Sequence, residues 1–218
     1  CNCETQGNRF YRKSTKKFKS AVEKLNTKNL EYTIHLGDFI DRDFKSFDSV
    51  LPIWNSLKAD KYHVLGNHDF SVSDSLKTLV PAKMGLNKRY YSFTKNNWRF
   101  IVLDGNDLSY HGALTNNKKK ETDSLFKLLK VDDEPNLQTW NGGLSTKQLE
   151  WIKNELEAAN KQNEYVGFYC HFSVQPIDSH NLWNTEEFSR LIDSYDCVKV
   201  FMNGHNHAGS YSLHNGVH

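Results

Sequence analysis

Four runs in this chain stop at strings that pack poorly and bind cations well. Tyr32 to Leu36 ends at Gly37-Asp38-Phe39-Ile40-Asp41, and Tyr62 to Leu65 ends at Gly66-Asn67-His68-Asp69. Tyr165 to Cys170 ends at His171, and Val198 to Met202 leads into Gly204-His205-Asn206-His207. Short apolar runs closed by turn residues read as strands covered on both faces. Helical spacing fills much of the sequence between them. Ser14 to Asn29 places Phe18, Ala21, Val22 and Leu25 at three- and four-residue steps, with Ser14 as the cap. Phe47 to Leu57 reads as a helix that Pro52 should kink or split. Ser145-Thr146-Lys147-Gln148 offers a capping box ahead of Leu149, Ile152 and Leu156, and Thr185 to Tyr195 reads as a further helix. This order predicts an α/β fold. In such folds ligands collect where strands end.

The chain has 218 residues, which suits one domain over 1–218 with a polar, irregular insert at about 105–143. Within the insert only Leu125 to Leu129 reads as helical. A structureless stretch of that length points to an active-site cover or a variable insert. Arg89 to Thr94 and Trp98 to Leu103 predict a hairpin turning at Asn96-Asn97, and a second hairpin turns at Asn215-Gly216. The net charge of +2 argues against a nucleic-acid surface, and Lys118-Lys119-Lys120 reads as a solvated loop. No apolar run is long enough to span a membrane. The four cysteines form no C-x-x-C pair, so a zinc ribbon is excluded, and reduced thiols in a cytoplasmic setting are expected. The start carries neither a signal peptide nor an initiator Met, so the natural chain is expected to begin upstream of Cys1.

Each polar string has an ordinary reading beside the chemical one. Gly37-Asp38 alone is a common turn, but a carboxylate there has two oxygens and can serve two cations. Asn67 offers a neutral, hard amide oxygen beside His68. His205 and His207 alternate by two, and in an extended segment such positions share a face. A lone histidine such as His171 is more often a satisfied rim residue, and its promotion depends on the other strings. The donor set of Asp, Asn and His without Cys suits manganese, iron or zinc.

The order Gly-Asp-x-x-Asp, Gly-Asn-His-Asp, His, Gly-His-x-His over residues 37 to 207 resembles the calcineurin-like metallophosphoesterase superfamily. The resemblance implies a four-layer α/β/β/α sandwich holding two divalent metal ions. It implies that Asp38 bridges both ions, that Asn67, His171 and His205 bind one, and that His207 binds the other. His68 is similar to the family's catalytic histidine, which stabilises or protonates the leaving oxygen, and Asp41 to the carboxylate that orients it and raises its pKa. Gln6 to Ser14, Leu103 to Ser109 and Asn141-Gly142-Gly143-Leu144-Ser145 further resemble the manganese-dependent ADP-ribose/CDP-alcohol diphosphatase branch. That branch implies manganese and a small-molecule nucleotide-diphosphate substrate, with no nucleic-acid or membrane partner. The physiological substrate and oligomeric state are not readable from the sequence.

One part of the pattern is missing. The superfamily's first motif, Asp-x-His or Asp-x-Gln, has no counterpart, because no Asp precedes Asp38. Asp178-Ser179-His180 has the spelling but lies after His171, and it reads as coincidence or a pocket wall. The expectation is a fold incomplete at both ends as the chain stands. Two alternatives remain at this stage. One is the same centre acting on a phosphodiester or phosphomonoester. The other is a non-catalytic binding domain that lost one metal site.

Overall fold

The computed structural model describes residues 10–130 and 134–218. Cys1, Cys3 and the string Gln6 to Arg9 therefore lie outside the described residues. In chain order the elements are α1 (Tyr11–Leu25), β1 (Tyr32–His35), α2 (Phe47–Asn55), β2 (Asp60–His63), α3 (Asp74–Lys77), α4 (Val80–Lys83), β3 (Tyr91–Lys95) and β4 (Trp98–Val102). They continue with β5 (Leu108–Ser109), α5 (Asn116–Leu129), β6 (Gly142–Gly143), α6 (Thr146–Gln162), β7 (Tyr165–Tyr169), α7 (Thr185–Ile192) and β8 (Val198–Met202).

The strands make two sheets and a short ribbon. β1 and β2 pair in parallel, with His35 opposite His63. The second sheet runs β3-β4-β7-β8, where β3–β4 is the predicted antiparallel hairpin and β4, β7 and β8 are mutually parallel neighbours. Alternation along each strand then sets the layers. Tyr32 and Ile34 of β1, with Leu36 beyond, meet Tyr91, Phe93, Phe100 and Val102 between the two sheets. His35 points the other way, against Phe39 and Trp54. Phe18 and Val22 of α1 pack with Phe47 and Trp54 of α2 in that outer layer. On β7, Val166 and Phe168 pack with Ile152 and Leu156 of α6 and Phe188 of α7, while Tyr169 joins the inter-sheet layer. The result is the α/β/β/α sandwich. No helix among the described residues is long and apolar enough to cross a membrane.

Several local expectations shift. α1 starts at Tyr11, so Ser14 is no cap; its hydroxyl donates to the Phe10 carbonyl at 3.5 Å. Pro52 does not split α2, which is unbroken over Phe47–Asn55. Only the bond to the Asp48 carbonyl is forfeited, and buried Phe47 and Trp54 hold the helix against its neighbours. The 105–143 stretch is more ordered than its polarity suggested. α5 begins at Asn116, with Thr115 Oγ1 accepting the Lys118 N–H at 3.2 Å. The lysine run thus sits on a helix, and the Lys118 ammonium lies 2.9 Å from Asp107. Leu108 of β5 pairs with Gly143 of β6. The capping box is half formed: Ser145 Oγ accepts the Gln148 N–H at 3.3 Å. The Gln148 side chain instead pairs with the Asp104 backbone, at 2.9 and 3.0 Å. The second hairpin is reduced to one bridge, His214 with Val217, around Asn215 and Gly216, both at positive φ.

Two imidazoles, half-buried His35 and buried His63, sit on the outer face of β1 and β2. The His35 and His63 ring centroids are 6.0 Å apart. His35 Nδ1 accepts the Gly37 N–H at 3.2 Å, and His63 lies 4.8 Å from the Trp54 ring. Burial pushes His35 down to about 4 and His63 down to about 3. Unfolded histidine takes up its proton near pH 6.5, so below that value the unfolded chain binds more protons than the folded one. Both rings therefore withdraw stability as pH falls from about 6.5 toward 4. A His63→Phe variant is expected to flatten the pH dependence of the urea midpoint over that window, by up to about 1.4 kcal/mol per pH unit. An unchanged slope would show that His63 does not enter the fold uncharged.

Candidate functional site

The four polar strings that begin at Gly37, Gly66, His171 and Gly204 each lie at or beyond the carboxyl end of a strand in one of the two parallel sets. Two of the connections need glycine for close approach. A Cβ on Gly37, which has φ 96°, would strike His171 Nδ1 and lie 2.9 Å from Gly66 Cα. A Cβ on Gly66 would strike the Asp38 carboxylate and backbone N. Asp38 and His205 adopt positive φ (55° and 63°), a conformation that costs a side-chain-bearing residue about 1–3 kcal/mol. The loops are joined to compensate. Asp38 Oδ1 accepts the His68 N–H at 2.9 Å. Fully buried Asp69 accepts the Ile40 N–H at 3.0 Å and the Gly66 N–H at 2.9 Å. One carboxylate thus ties both loops together. Burial and the neighbouring Asp38 charge push Asp69 up to about 7.

The central observation is a convergence of acceptors. His171 Nδ1 donates to the Leu36 carbonyl at 2.8 Å, so a neutral ring presents a bare lone pair at Nε2. That nitrogen lies 3.1 Å from Asn67 Oδ1 and 3.4 Å from Asp38 Oδ2. Asp38, His171 and His205 each offer a ligand atom, all within 4.8 Å of one another. Lone pairs facing one another with no proton between them repel unless a cation takes them up. The same demand appears in the titration of His171. Burial disfavours its charged form, yet the Asp38 carboxylate outweighs this and moves its pKa above the ordinary value. Asp38 is held below the usual carboxylate range: His171 and His68 outweigh its burial. Asn67, Asp38, His171 and His205 could therefore hold a divalent cation.

Beside this set stands an Asp–His pair. His68 Nδ1 donates to Asp41 Oδ1 at 2.7 Å. The hydrogen bond from His68 overcomes burial and brings Asp41 down to about 2. With Nδ1 so engaged, Nε2 is the nitrogen left for chemistry. A cavity of about 480 Å³ is lined by Asp38, Asn67, His68, His205 and His207, with Arg42, Trp140 and His180 at its wall. The second reading of Asp178-Ser179-His180 was the sound one, since His180 is a wall residue.

His207 reaches the cavity by a turned backbone rather than the extended one expected. The argument from alternation needed an extended segment, but the chain reverses at His205, and the Asn206 N–H bonds the Gly204 carbonyl at 2.8 Å. Both imidazoles nevertheless line the same cavity. His205 joins the cluster, while His207 lines the cavity outside it. Sequence reasoning gave no role to Asp69, Trp140 or Asn141. Asn141 lay in a recognised string and Trp140 in the 105–143 insert, neither with an assignment, and the backbone donors that Asp69 satisfies come from loops that only the fold brings together.

The family model for calcineurin-like phosphoesterases matches residues 11–209. The chain belongs to this family. A manganese-dependent ADP-ribose/CDP-alcohol diphosphatase of Arabidopsis thaliana is 29% identical to this phosphoesterase, over 96% of its chain and 76% of the relative. One of the same description from Homo sapiens is 28% identical, over 94% of the chain and 71% of the relative. The crystal structure of a dimetal phosphatase from Danio rerio superposes with a TM-score of 0.82 at 25% identity, covering 96% of this chain and 77% of that one.

Two substitutions test the loop geometry. Asp69→Ala orphans two buried N–H groups and is expected to lower stability by about 1–3 kcal/mol for each, read by urea unfolding. Gly66→Ala should displace the Asp38 carboxylate and weaken manganese binding at least about 10-fold in a direct titration. Wild-type affinity in Gly66→Ala would refute the close-approach argument.

Proposed function

We propose that this phosphoesterase is a two-metal hydrolase that cleaves the pyrophosphate of ADP-ribose, CDP-choline or related nucleotide conjugates, with manganese as its metal. The observation that carries this reading is the set of opposed lone pairs on Asp38, Asn67 and His171 beside the His68–Asp41 pair. In this reading Asn67, His171 and His205 would hold one ion, Asp38 would be shared, and His207 would serve the second. Manganese over iron or zinc rests on the description of the relatives, which are manganese-dependent.

Bound divalent ions supply charge neutralisation at the phosphate oxygens and activation of water. The chain's own residues do the remainder. Water adds to phosphorus and releases a proton to solvent, the bridging P–O bond breaks, and His68, entering the step with protons on both nitrogens, gives the Nε2 proton to the departing phosphate oxygen while Nδ1–H stays on Asp41. Asp41 keeps the His68 ring turned so that Nε2 can do so. Arg42 and Trp140 flank the cavity and offer a guanidinium for phosphate and a flat ring for a base. Segments 105–143 and 172–184 carry Trp140 and His180 to this wall, and we assign them the choice of substrate.

The test is metal-dependent release of AMP from ADP-ribose, lost on chelation and restored by manganese. His68→Ala and Asp41→Asn are expected to lower kcat by about 10²–10⁴-fold. Near-normal turnover by His68→Ala would overturn its assigned role. Turnover of phosphodiesters or phosphomonoesters without ADP-ribose would overturn the substrate and leave the two-metal chemistry standing.

A further inference from the structure

Asn141 leads into β6, and its side chain is completely buried. Its backbone is held in place from both sides: Gly142 accepts the Trp183 N–H at 2.8 Å, and a Cβ on Gly142 would strike the Gly105 carbonyl. The Asn141 amide reaches three partners. Nδ2 donates to the Asn136 carbonyl at 2.8 Å and to the Ser179 carbonyl at 2.8 Å. Oδ1 lies 2.9 Å from His205 Nε2. These partners decide which way the amide faces. Two backbone carbonyls can only accept, so the NH₂ group must point at them and the oxygen must point at His205. An acceptor 2.9 Å from Nε2 then requires the proton to sit on Nε2.

We infer that Asn141 is a positioning residue that fixes the His205 tautomer, with the proton at Nε2 and the lone pair at Nδ1, the nitrogen offered to the cation. The assignment of the cation as manganese rests on the functional reading above; the tautomer does not. The surroundings leave the ring little freedom. Phe172 stands 4.8 Å from it edge-on, and His180 stands 5.3 Å away. The backbone turns sharply at His205 itself, where φ is 63°. Asn206 Nδ2 donates to Asp178 Oδ2 at 2.9 Å, so the 178–181 loop holds the residue beside His205 as well as accepting from Asn141. A histidine that donates its second nitrogen to a fixed acceptor is both oriented and made a better ligand. Asn141 thereby links a metal-facing ring to two substrate-side segments.

The test starts with the unsubstituted chain, free of metal, carrying ¹⁵N-labelled histidine at about pH 8, where imidazoles are neutral. Two-bond ¹⁵N–¹H couplings should show the His205 proton on Nε2, the signal being identified by its loss in His205→Gln. A proton on Nδ1 would overturn the inference, whatever the variants do. In Asn141→Ala the ring should become a tautomer mixture, and manganese affinity should fall by about 10- to 100-fold. Asn136→Ala serves as the control for loop loosening, because its side chain holds the same turn through the Leu182 and Trp183 carbonyls without touching His205. It should leave the tautomer unchanged and affinity within about 3-fold of the parent, well short of the loss caused by removing the His205 acceptor. An equal loss in both variants would overturn the role of Asn141. Failure to hydrolyse ADP-ribose, with tautomer and affinity as expected, would sink the substrate reading alone.

Discussion

Mutual repulsion among lone pairs is the constraint around which the centre of this molecule is arranged. Asp38 Oδ2, Asn67 Oδ1 and His171 Nε2 crowd together at the strand ends, and His171 has already given its one proton to Leu36. A chain folding for stability alone would separate such atoms or place a donor between them. Here glycines bring them closer, and left-handed backbone at Asp38 and His205 turns them inward. The sandwich supplies rigidity. Its helical outer layers and the aromatic layer between the sheets hold the strand ends in place, and the loops are adjusted against that frame.

Polar bonding beneath the loops extends the same support. Asn106 Nδ2 donates to the Leu65 carbonyl at 3.1 Å, one residue before Gly66. Arg89 lies 4.7 Å over the Phe70 ring and donates to the Gly112 and Asn106 carbonyls at 2.7 and 3.0 Å. Its guanidinium is also 2.7 Å from buried Asp104, which burial nonetheless raises to about 6. Gln148 at the start of α6 closes this set onto the Asp104 backbone. The first turn of a helix on one outer face is thus connected, bond by bond, to the loop that carries Asn67.

The strands and their terminal strings were readable because both obey short-range rules: apolar runs, glycine at the close approaches, and donors at the strand ends. Asp38, His171 and His205 lie close together with Asn67 against His171, and His68 meets Asp41. What was not readable depends on contacts between distant parts of the chain. The path from His205 to His207 is one such case: left-handed backbone at His205 replaces the extended segment that alternation assumed, while both rings still line the cavity. The order in α5 was hidden because its apolar face is only Leu125, Phe126 and Leu129 around a run of lysines. Asp69 and Asn141 are ordinary polar residues in sequence, and their partners lie across 29 and 64 positions.

The excursion that holds α5 leaves the sandwich at the β5–β6 ribbon and returns through the same ribbon. Outside that ribbon, aromatic contacts steady it: Phe126 lies 5.1 Å from Trp183 and 5.4 Å from Tyr110. None of the atoms that surround the cation site belongs to α5. The helix is therefore a cassette with a fixed socket. Lengthening, shortening or exchanging it would remodel the outer approach to the protein while the reactive chemistry beneath kept its shape, which makes it a natural splice point for redesign.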